Sequence, residues 1–263
     1  MSQASANLNV MINAARKAAK NLIRDFGEVE NLQVSLKGAG DFVSKADIKA
    51  EEIIRLELTG ARPNYGWVGE ESAPVKGEDP TRRWIVDPLD GTANFLHATP
   101  HWAISIALEH KGEIIAAVIY DPIKDEMFTA EKGQGAWLND RRLRVSARKD
   151  LAECVFGTSI PCTGRPNLPE TLGVFSRLGM RAAGLRSTGS SALNMAYVAA
   201  GRLDGMWDFN VKSWDIAAGI LLVQEAGGFS IPLVAAGHML DGGGVISANA
   251  NIHEKLVGEV RHV

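Results

Sequence analysis

Trp84-Ile85-Val86-Asp87-Pro88-Leu89-Asp90-Gly91-Thr92-Ala93-Asn94-Phe95 is the stretch from which the rest of the sequence is read. Its first three residues are continuously apolar, as in a strand buried on both faces. Asp87 and Asp90 follow at once with Pro88 between them. Pro88 is expected to stop the strand, because it has no N–H to give a ladder. Gly91 and Thr92 then read as a helix start, with a hydroxyl and free backbone N–H groups. One short stretch thus offers two anionic oxygen donors and an anion-accepting helix terminus. Neighbouring carboxylates repel and desolvate poorly, so something must compensate them. A hard divalent cation does so most simply, since Mg²⁺ binds through a few carboxylates plus substrate phosphates. The plain alternative is an Asp-rich turn after a strand, because Asp, Pro and Gly are ordinary turn residues.

Upstream, Met11, Ala15, Ala18 and Leu22 recur at helical spacing within residues 8–26, with Arg16, Lys17, Lys20 and Arg24 mostly elsewhere. This predicts an amphipathic helix packed on the body of the protein. Its Ala-rich face without Trp does not suit a membrane surface. Residues 36–43 read as a glycine-loosened loop. Ser44 and Asp47 have the spacing of a helix N-cap and its partner, so the simplest role for Asp47 is to favour a helix start. That helix continues through Ile48, Ile54 and Leu58 until Gly60 and Pro63 end it. Residues 65–69 form a short strand that delivers Glu70 and Glu71, a pair of the kind found at solvated corners.

Downstream, residues 103–108 and 114–120 flank Lys111-Gly112, a hairpin signal, and 127–130 and 136–138 extend it into an antiparallel meander. The remainder alternates. Strands are expected at 155–158, 182–186, 204–207 and near Phe229 and Val245, and helices at 168–178, 190–200, 213–226 and 251–260. The 213–226 helix is strongly apolar, opens on Ser213-Trp214-Asp215 and stops at Gly227-Gly228. Asp215 by itself reads equally well as compensation of the helix dipole.

Composition narrows the classes of function. The chain has 263 residues, 46% of them hydrophobic, enough for one compact unit made of two halves, residues 1–150 and 151–263. A net charge of −3 without a basic block argues against nucleic acid as the principal partner. Cys154 and Cys162 fit neither a redox pair nor a zinc site, and the six histidines show no HExxH-like pairing. No signal-peptide core and no bilayer-length apolar run is visible, so a soluble, cytoplasmic protein is expected.

Four separated motifs, in order, resemble the inositol monophosphatase family of metal-dependent phosphatases. They are Asp41 to Asp47, Gly69-Glu70-Glu71-Ser72, the 84–95 stretch, and Trp214-Asp215-Ile216-Ala217-Ala218-Gly219 followed by Glu225 to Gly228. The resemblance implies a layered αβαβα sandwich of the α/β (α+β) class, with an antiparallel sheet in the first half and a smaller mixed sheet in the second. It also implies a homodimer. Glu70, Asp87 and the carbonyl of Leu89 would hold one Mg²⁺; Asp87, Asp90 and Asp215 a second; Glu70 would contribute to a third, giving two to three per subunit. Thr92 and Asp47 would orient and deprotonate a water, the N–H groups of Gly91 and Thr92 would face the phosphate, and sensitivity to lithium would follow from the carboxylate cluster.

On the alcohol side the resemblance points to Asp90, Ser191 and Asp208; Asn210 and Lys212 lie nearby in the sequence, and Arg186 and Lys212 are cationic candidates for a second anionic group, against the plainer reading of solvated surface charges. Here the chain departs from the family pattern. Many relatives carry Glu at the Asp208 position, and a small apolar residue is frequent at Ser191. The implied reaction is hydrolysis of a small phosphate monoester of a polyol or sugar, myo-inositol 1-phosphate first. Fructose 1,6-bisphosphate, histidinol phosphate and nucleotide 3′-phosphates are the alternatives. The rival of another kind is a regulatory binding protein, since some bacterial relatives are associated with the transcription machinery.

Overall fold

Apolar periodicity sorts the chain into five alternating layers in the computed structural model, which describes residues 4–29, 34–38, 41–160, 167–234 and 237–261; for residues 34–38 and 41–44 it describes the backbone. The first half runs α1 (Ala6–Phe26), β1 (Val34–Gly38), β2 (Asp41–Ser44), α2 (Lys45–Ala61), β3 (Tyr65–Gly69), β4 (Asp79–Asp90) and α3 (Thr92–Leu96). It continues through β5 (Ala103–His110), β6 (Glu113–Asp121), β7 (Glu126–Glu131), β8 (Gly135–Leu138) and β9 (Arg141–Arg142). The second half runs β10 (Val155–Thr158), α4 (Leu168–Gly179), β11 (Gly184–Ser187), α5 (Ser191–Ala199), β12 (Gly205–Phe209), α6 (Ser213–Glu225), β13 (Gly228–Pro232), β14 (Gly244–Asn249) and α7 (His253–Arg261).

Seven strands form one sheet in the order β3-β4-β5-β6-β7-β8-β9, and five form the other in the order β11-β10-β12-β14-β13. Strand alternation decides what each face meets. In β4, Trp84 and Val86 join a core with Met11, Ala15, Ala18 and Leu22 of α1 and Ile54 and Leu58 of α2. Ile85, between them, faces the opposite way and packs with Leu193 and Ala196 of α5 and Ala217 and Leu221 of α6. That second core also takes Met206 and Val245 from the five-stranded sheet, so α5 and α6 are the layer between the sheets. The outer face of the smaller sheet, with Phe156, Trp207 and Ile246, is closed by Val174 and Leu178 of α4 and Leu256 and Val260 of α7. A fully buried aliphatic or phenyl side chain contributes roughly 1.5–3 kcal/mol. A half-exposed ion pair such as Lys17–Glu57 contributes about 1 kcal/mol or less, so the three cores dominate.

The first helix matches its sequence pattern, and the Ser5 side chain caps it by accepting from the Leu8 N–H. The Lys111-Gly112 hairpin is present, with both residues at positive φ (54° and 84°), as a type I′ turn requires. Three expectations need correction. Pro88 does not stop its strand: β4 continues to Asp90, and the ladder with β5 shifts register between Asp87 and Asp90. A bulge at that point tolerates the missing N–H. The first sheet is not wholly antiparallel, because β3 pairs with β4 in parallel. The 70–78 segment carries the chain back to the start of β3 before β4 begins. The loop expected at 36–43 gives way to strands on both sides, β1 and β2 pairing antiparallel with Leu36 opposite Phe42. The proposed Ser44 cap rests on a side chain outside the described set, as does Cys162. Among the described residues, no helix is long and apolar enough to cross a membrane.

Candidate active site

The bulge in β4 is where the sequence turns into chemistry. The Asp87 side chain folds back to accept the Leu89 N–H through Oδ1 at 2.9 Å, fixing its carboxylate near the C-terminal end of β4. Gly91 follows at φ 101°, and a Cβ there would lie 3.1 Å from the His101 carbonyl, so the position needs glycine both for backbone shape and for space. The turn then enters α3, whose Asn94 side chain donates to the carbonyls of His101 (2.7 Å) and Thr188 (2.8 Å), tying it to the second half.

Asp215 arrives from that second half. It sits in the first turn of α6, where its Oδ2 accepts the Lys212 N–H at 2.7 Å. The Ser105 hydroxyl of β5 donates to the Trp214 carbonyl at 3.3 Å, which pins the start of α6 over the large sheet. The helix-start reading of Asp215 is therefore correct as local structure, and the same residue also reaches the carboxylate cluster. Carboxylate oxygens of Asp87, Asp90 and Asp215 all lie within 4.8 Å of one another.

Asp90 is held from the far side by the start of α5. Its Oδ2 accepts from the Ser190 hydroxyl and from the Ala192 N–H at 2.9 Å. Ser190 also caps the helix, accepting the Leu193 N–H at 3.2 Å. Glu70 follows the end of β3, within the field of Asp215, Asp47 and Glu71 and close to Asp87. Glu51 of α2 shapes this corner. It accepts the Glu71 N–H at 2.8 Å, and a Cβ on Gly69 would fall 2.6 Å from its carboxylate. Asp47, one turn earlier on α2, is also buried.

The electrostatics follow from this crowding. Burial first, then Glu70, Asp90 and Asp215, push Asp87 well above the usual carboxylate range. Burial followed by Asp215 and Asp47 does the same for Glu70. Asp90 is pushed up to about 7, by burial and then by Asp215. The leading charges around Asp87 all share its sign. A donor set made only of carboxylate oxygens, paying mutual repulsion in a buried place, fits a hard divalent cation.

The other expected residues fall as follows. The Thr92 hydroxyl donates to the Leu89 carbonyl at 3.1 Å, so its proton points there; a carbonyl has a second lone pair for another partner. Ser191 and Asp208 meet: the Ser191 hydroxyl donates to Asp208 Oδ2 at 2.7 Å. Asp208 is 1% exposed and collects three more donors, the Thr158 hydroxyl (3.3 Å), the Ser159 N–H and the Ser159 hydroxyl (3.3 Å). Burial raises it to about 6 in spite of them. Arg186 is exposed and its guanidinium donates to the Leu185 carbonyl; the Lys212 side chain is exposed. Cys154 is buried, donates to the Asp150 carbonyl and is pushed up to about 11, so it is no nucleophile near neutral pH.

Ser190, Glu51, Thr158 and Ser159 are missing from the sequence reading. Glu51 carried a signal, since it lies one helical turn from Asp47. The hydroxyl residues carried none, because their partners are remote in the chain.

Comparison with known proteins places the whole chain among relatives of one family. A family model described as "Inositol monophosphatase family" matches residues 4–263. A Rhizobium meliloti protein named inositol-1-monophosphatase is 55% identical over 96% of this chain and 95% of its own. A Pseudomonas aeruginosa protein named Nus factor SuhB is 40% identical over 97% and 95%. The crystal structure of extragenic suppressor protein suhB from Bartonella henselae superposes with a TM-score of 0.94 at 51% identity, covering 98% of this chain and 99% of that one.

Proposed function

Because the chain belongs to the inositol monophosphatase family, we propose that it is a Mg²⁺-dependent phosphatase that hydrolyses a small phosphate monoester, myo-inositol 1-phosphate before others. The observation that carries the reading is the convergence of the buried Asp87 and Asp90 with Asp215 from the other half of the chain, their carboxylate oxygens within 4.8 Å of one another. Relatives at 53–55% identity bear the name inositol-1-monophosphatase.

In this proposal Glu70, Asp87, Asp90, Asp215 and the Leu89 carbonyl hold two to three divalent cations. Bound there, Mg²⁺ would neutralise phosphate charge and acidify a water. The chain supplies the rest. The Thr92 hydroxyl, its hydrogen given to the Leu89 carbonyl, would orient the attacking water through a lone pair, and the Asp47 carboxylate would take the water's proton, Glu70 assisting. The N–H groups of Gly91 and Thr92 face the non-bridging phosphate oxygens, where fixed donors favour the charge of the transition state. Asp90, Ser191 and Asp208 lie on the alcohol side. Homodimeric assembly, lithium inhibition and a cytoplasmic location belong to the same proposal and rest on family likeness.

A second reading is favoured by the relatives named Nus factor SuhB at 37–40% identity: a regulatory role carried by binding. The retained carboxylate cluster and the absence of a basic block both favour catalysis.

The test is phosphate release from inositol 1-phosphate, fructose 1,6-bisphosphate, histidinol phosphate and a 3′-phosphoadenosine nucleotide, with Mg²⁺, with chelator and with Asp87→Asn. The expected result is Mg²⁺-dependent turnover of inositol 1-phosphate, lowered by at least about 10²-fold in the variant. Release no faster than the variant's on every substrate would sink the proposal and leave the binding role standing.

A further inference from the structure

Glu51 shares the buried face of α2 with Asp47, Ile54 and Leu58 and is only 3% exposed. It is not a member of the cluster of Asp87, Asp90 and Asp215. A buried carboxyl group is costly to desolvate, so its place calls for a partner. That partner is the corner that carries Glu70. Oε2 of Glu51 accepts the Glu71 N–H at 2.8 Å. On the other side of Glu70 the same carboxyl group lies against Gly69. A Cβ there would fall 2.6 Å from Oε2 and 2.7 Å from both Cδ and Oε1. Glu70 itself donates its N–H to the Val86 carbonyl of β4 at 3.2 Å, one residue before Asp87.

Topology explains why a side chain does this work. β3 is an edge strand of the large sheet, so β4 pairs it on one side. On its free side the Val75 carbonyl takes the Trp67 N–H at 2.8 Å. Four residues further on, Glu51 takes the Glu71 N–H, in the place a neighbouring strand would fill. We propose that Glu51 is a positioning residue, whose carboxyl group clamps the chain on both sides of Glu70 and so aims Glu70 at the cation it would share with Asp87. The inference rests on the cation reading and adds to it a residue outside the cluster. Because Asp47 sits one turn earlier on the same helix, the clamp also fixes α2, and with it Asp47, relative to Glu70.

The test measures Mn²⁺ binding to the full chain without substrate, by electron paramagnetic resonance; Mn²⁺ takes the same kind of oxygen ligands as Mg²⁺. Glu51→Ala is expected to weaken binding about 10- to 100-fold, as for other groups that orient a ligand. It should also speed hydrogen exchange of the Glu71 amide in the metal-free protein. Glu51→Gln keeps an oxygen that can accept the Glu71 N–H and should stay within about threefold of wild type. A residue that acts through Glu70 has nothing left to act on in a Glu70→Gln background. Adding Glu51→Ala there should therefore weaken binding no further. Gly69→Ala displaces the carboxyl group without removing it and should weaken binding in the same direction. The proposal falls if Glu51→Ala binds Mn²⁺ as wild type does, or if Glu51→Gln loses as much as Glu51→Ala. It falls equally if Glu51→Ala and Glu70→Gln add in full, since Glu51 then acts independently of Glu70. Should Glu51→Ala fail to fold, Glu51→Gln and Gly69→Ala decide: affinity kept in the first and lost in the second supports the clamp, and any other pairing overturns it. Wild-type protein that binds no Mn²⁺ overturns the cation reading itself, a different failure from a wild type that binds with unchanged affinity in the variants.

Discussion

Ser190 shows how much of the site depends on groups that are not ligands. Its hydroxyl and the Ala192 N–H both occupy Asp90 Oδ2, which leaves Oδ1 to the cluster. Ser190→Ala should raise the Mg²⁺ concentration for half-maximal activity by about 10- to 100-fold, read from a Mg²⁺ titration. Protons compete for the same oxygens. Without metal the Asp90 carboxyl is raised to about 7. Its folded form binds a proton more tightly than its unfolded form, so the metal-free protein loses stability as pH rises from about 4 through about 7. Mg²⁺ needs the ionised carboxylate. A hundred-fold excess over its Kd should stabilise by about 2.7 kcal/mol at pH 8, and the same addition by clearly less at pH 6, measured by thermal melts with and without chelator. The carboxylates are readable in the sequence because Asp87 and Asp90 sit in one contiguous motif, and because Asp215 opens an apolar helix. Ser190, Ser159 and Glu51 are not readable, since a serine or a helical glutamate acquires meaning only from its partner, and Ser190 lies 100 positions from Asp90.

Among the elements, α6 is the one whose packing is least forgiving. A Cβ on Gly219 would lie 2.5 Å from the Met195 Cβ of α5, so the two helices approach at their backbones. Gly219→Ala should destabilise by about 1–3 kcal/mol through overpacking, read as a lower urea midpoint at constant slope. A Gly227→Ala change tests backbone shape instead: φ is 87° and nothing within 4 Å would meet the methyl, so only the left-handed conformation opposes it, at about 1 kcal/mol. Helices were legible because their apolar residues recur over many turns, as in α1 and α6. The end of β4 was not, because a bulge can accommodate Pro88 and nothing local distinguishes a bulged strand from a finished one. The parallel pairing of β3 with β4 was hidden for another reason: pairing direction is set by where the 70–78 segment returns the chain, not by the strand residues.

For the whole molecule, the layer order is the property that local patterns leave unwritten, and only likeness to a family supplied it. Both sheets bury a face against α5 and α6 in one continuous core, from Ile85 and Phe128 on one side to Met206 and Val245 on the other. Urea unfolding should accordingly appear as one transition, coincident by circular dichroism and by tryptophan fluorescence; two separated transitions would mean that the halves are independent. The carboxylate cluster has the same dependence on both halves, with consequences during synthesis. Asp87 and Asp90 leave the ribosome long before Asp215, and the helix carrying Asp215 also covers the inner face of the large sheet. A nascent chain halted before α6 holds an incomplete cluster and an uncovered sheet at the same time. The interval in which it most needs a chaperone is therefore also the interval in which its carboxylate cluster is still incomplete, and translation of one helix ends both.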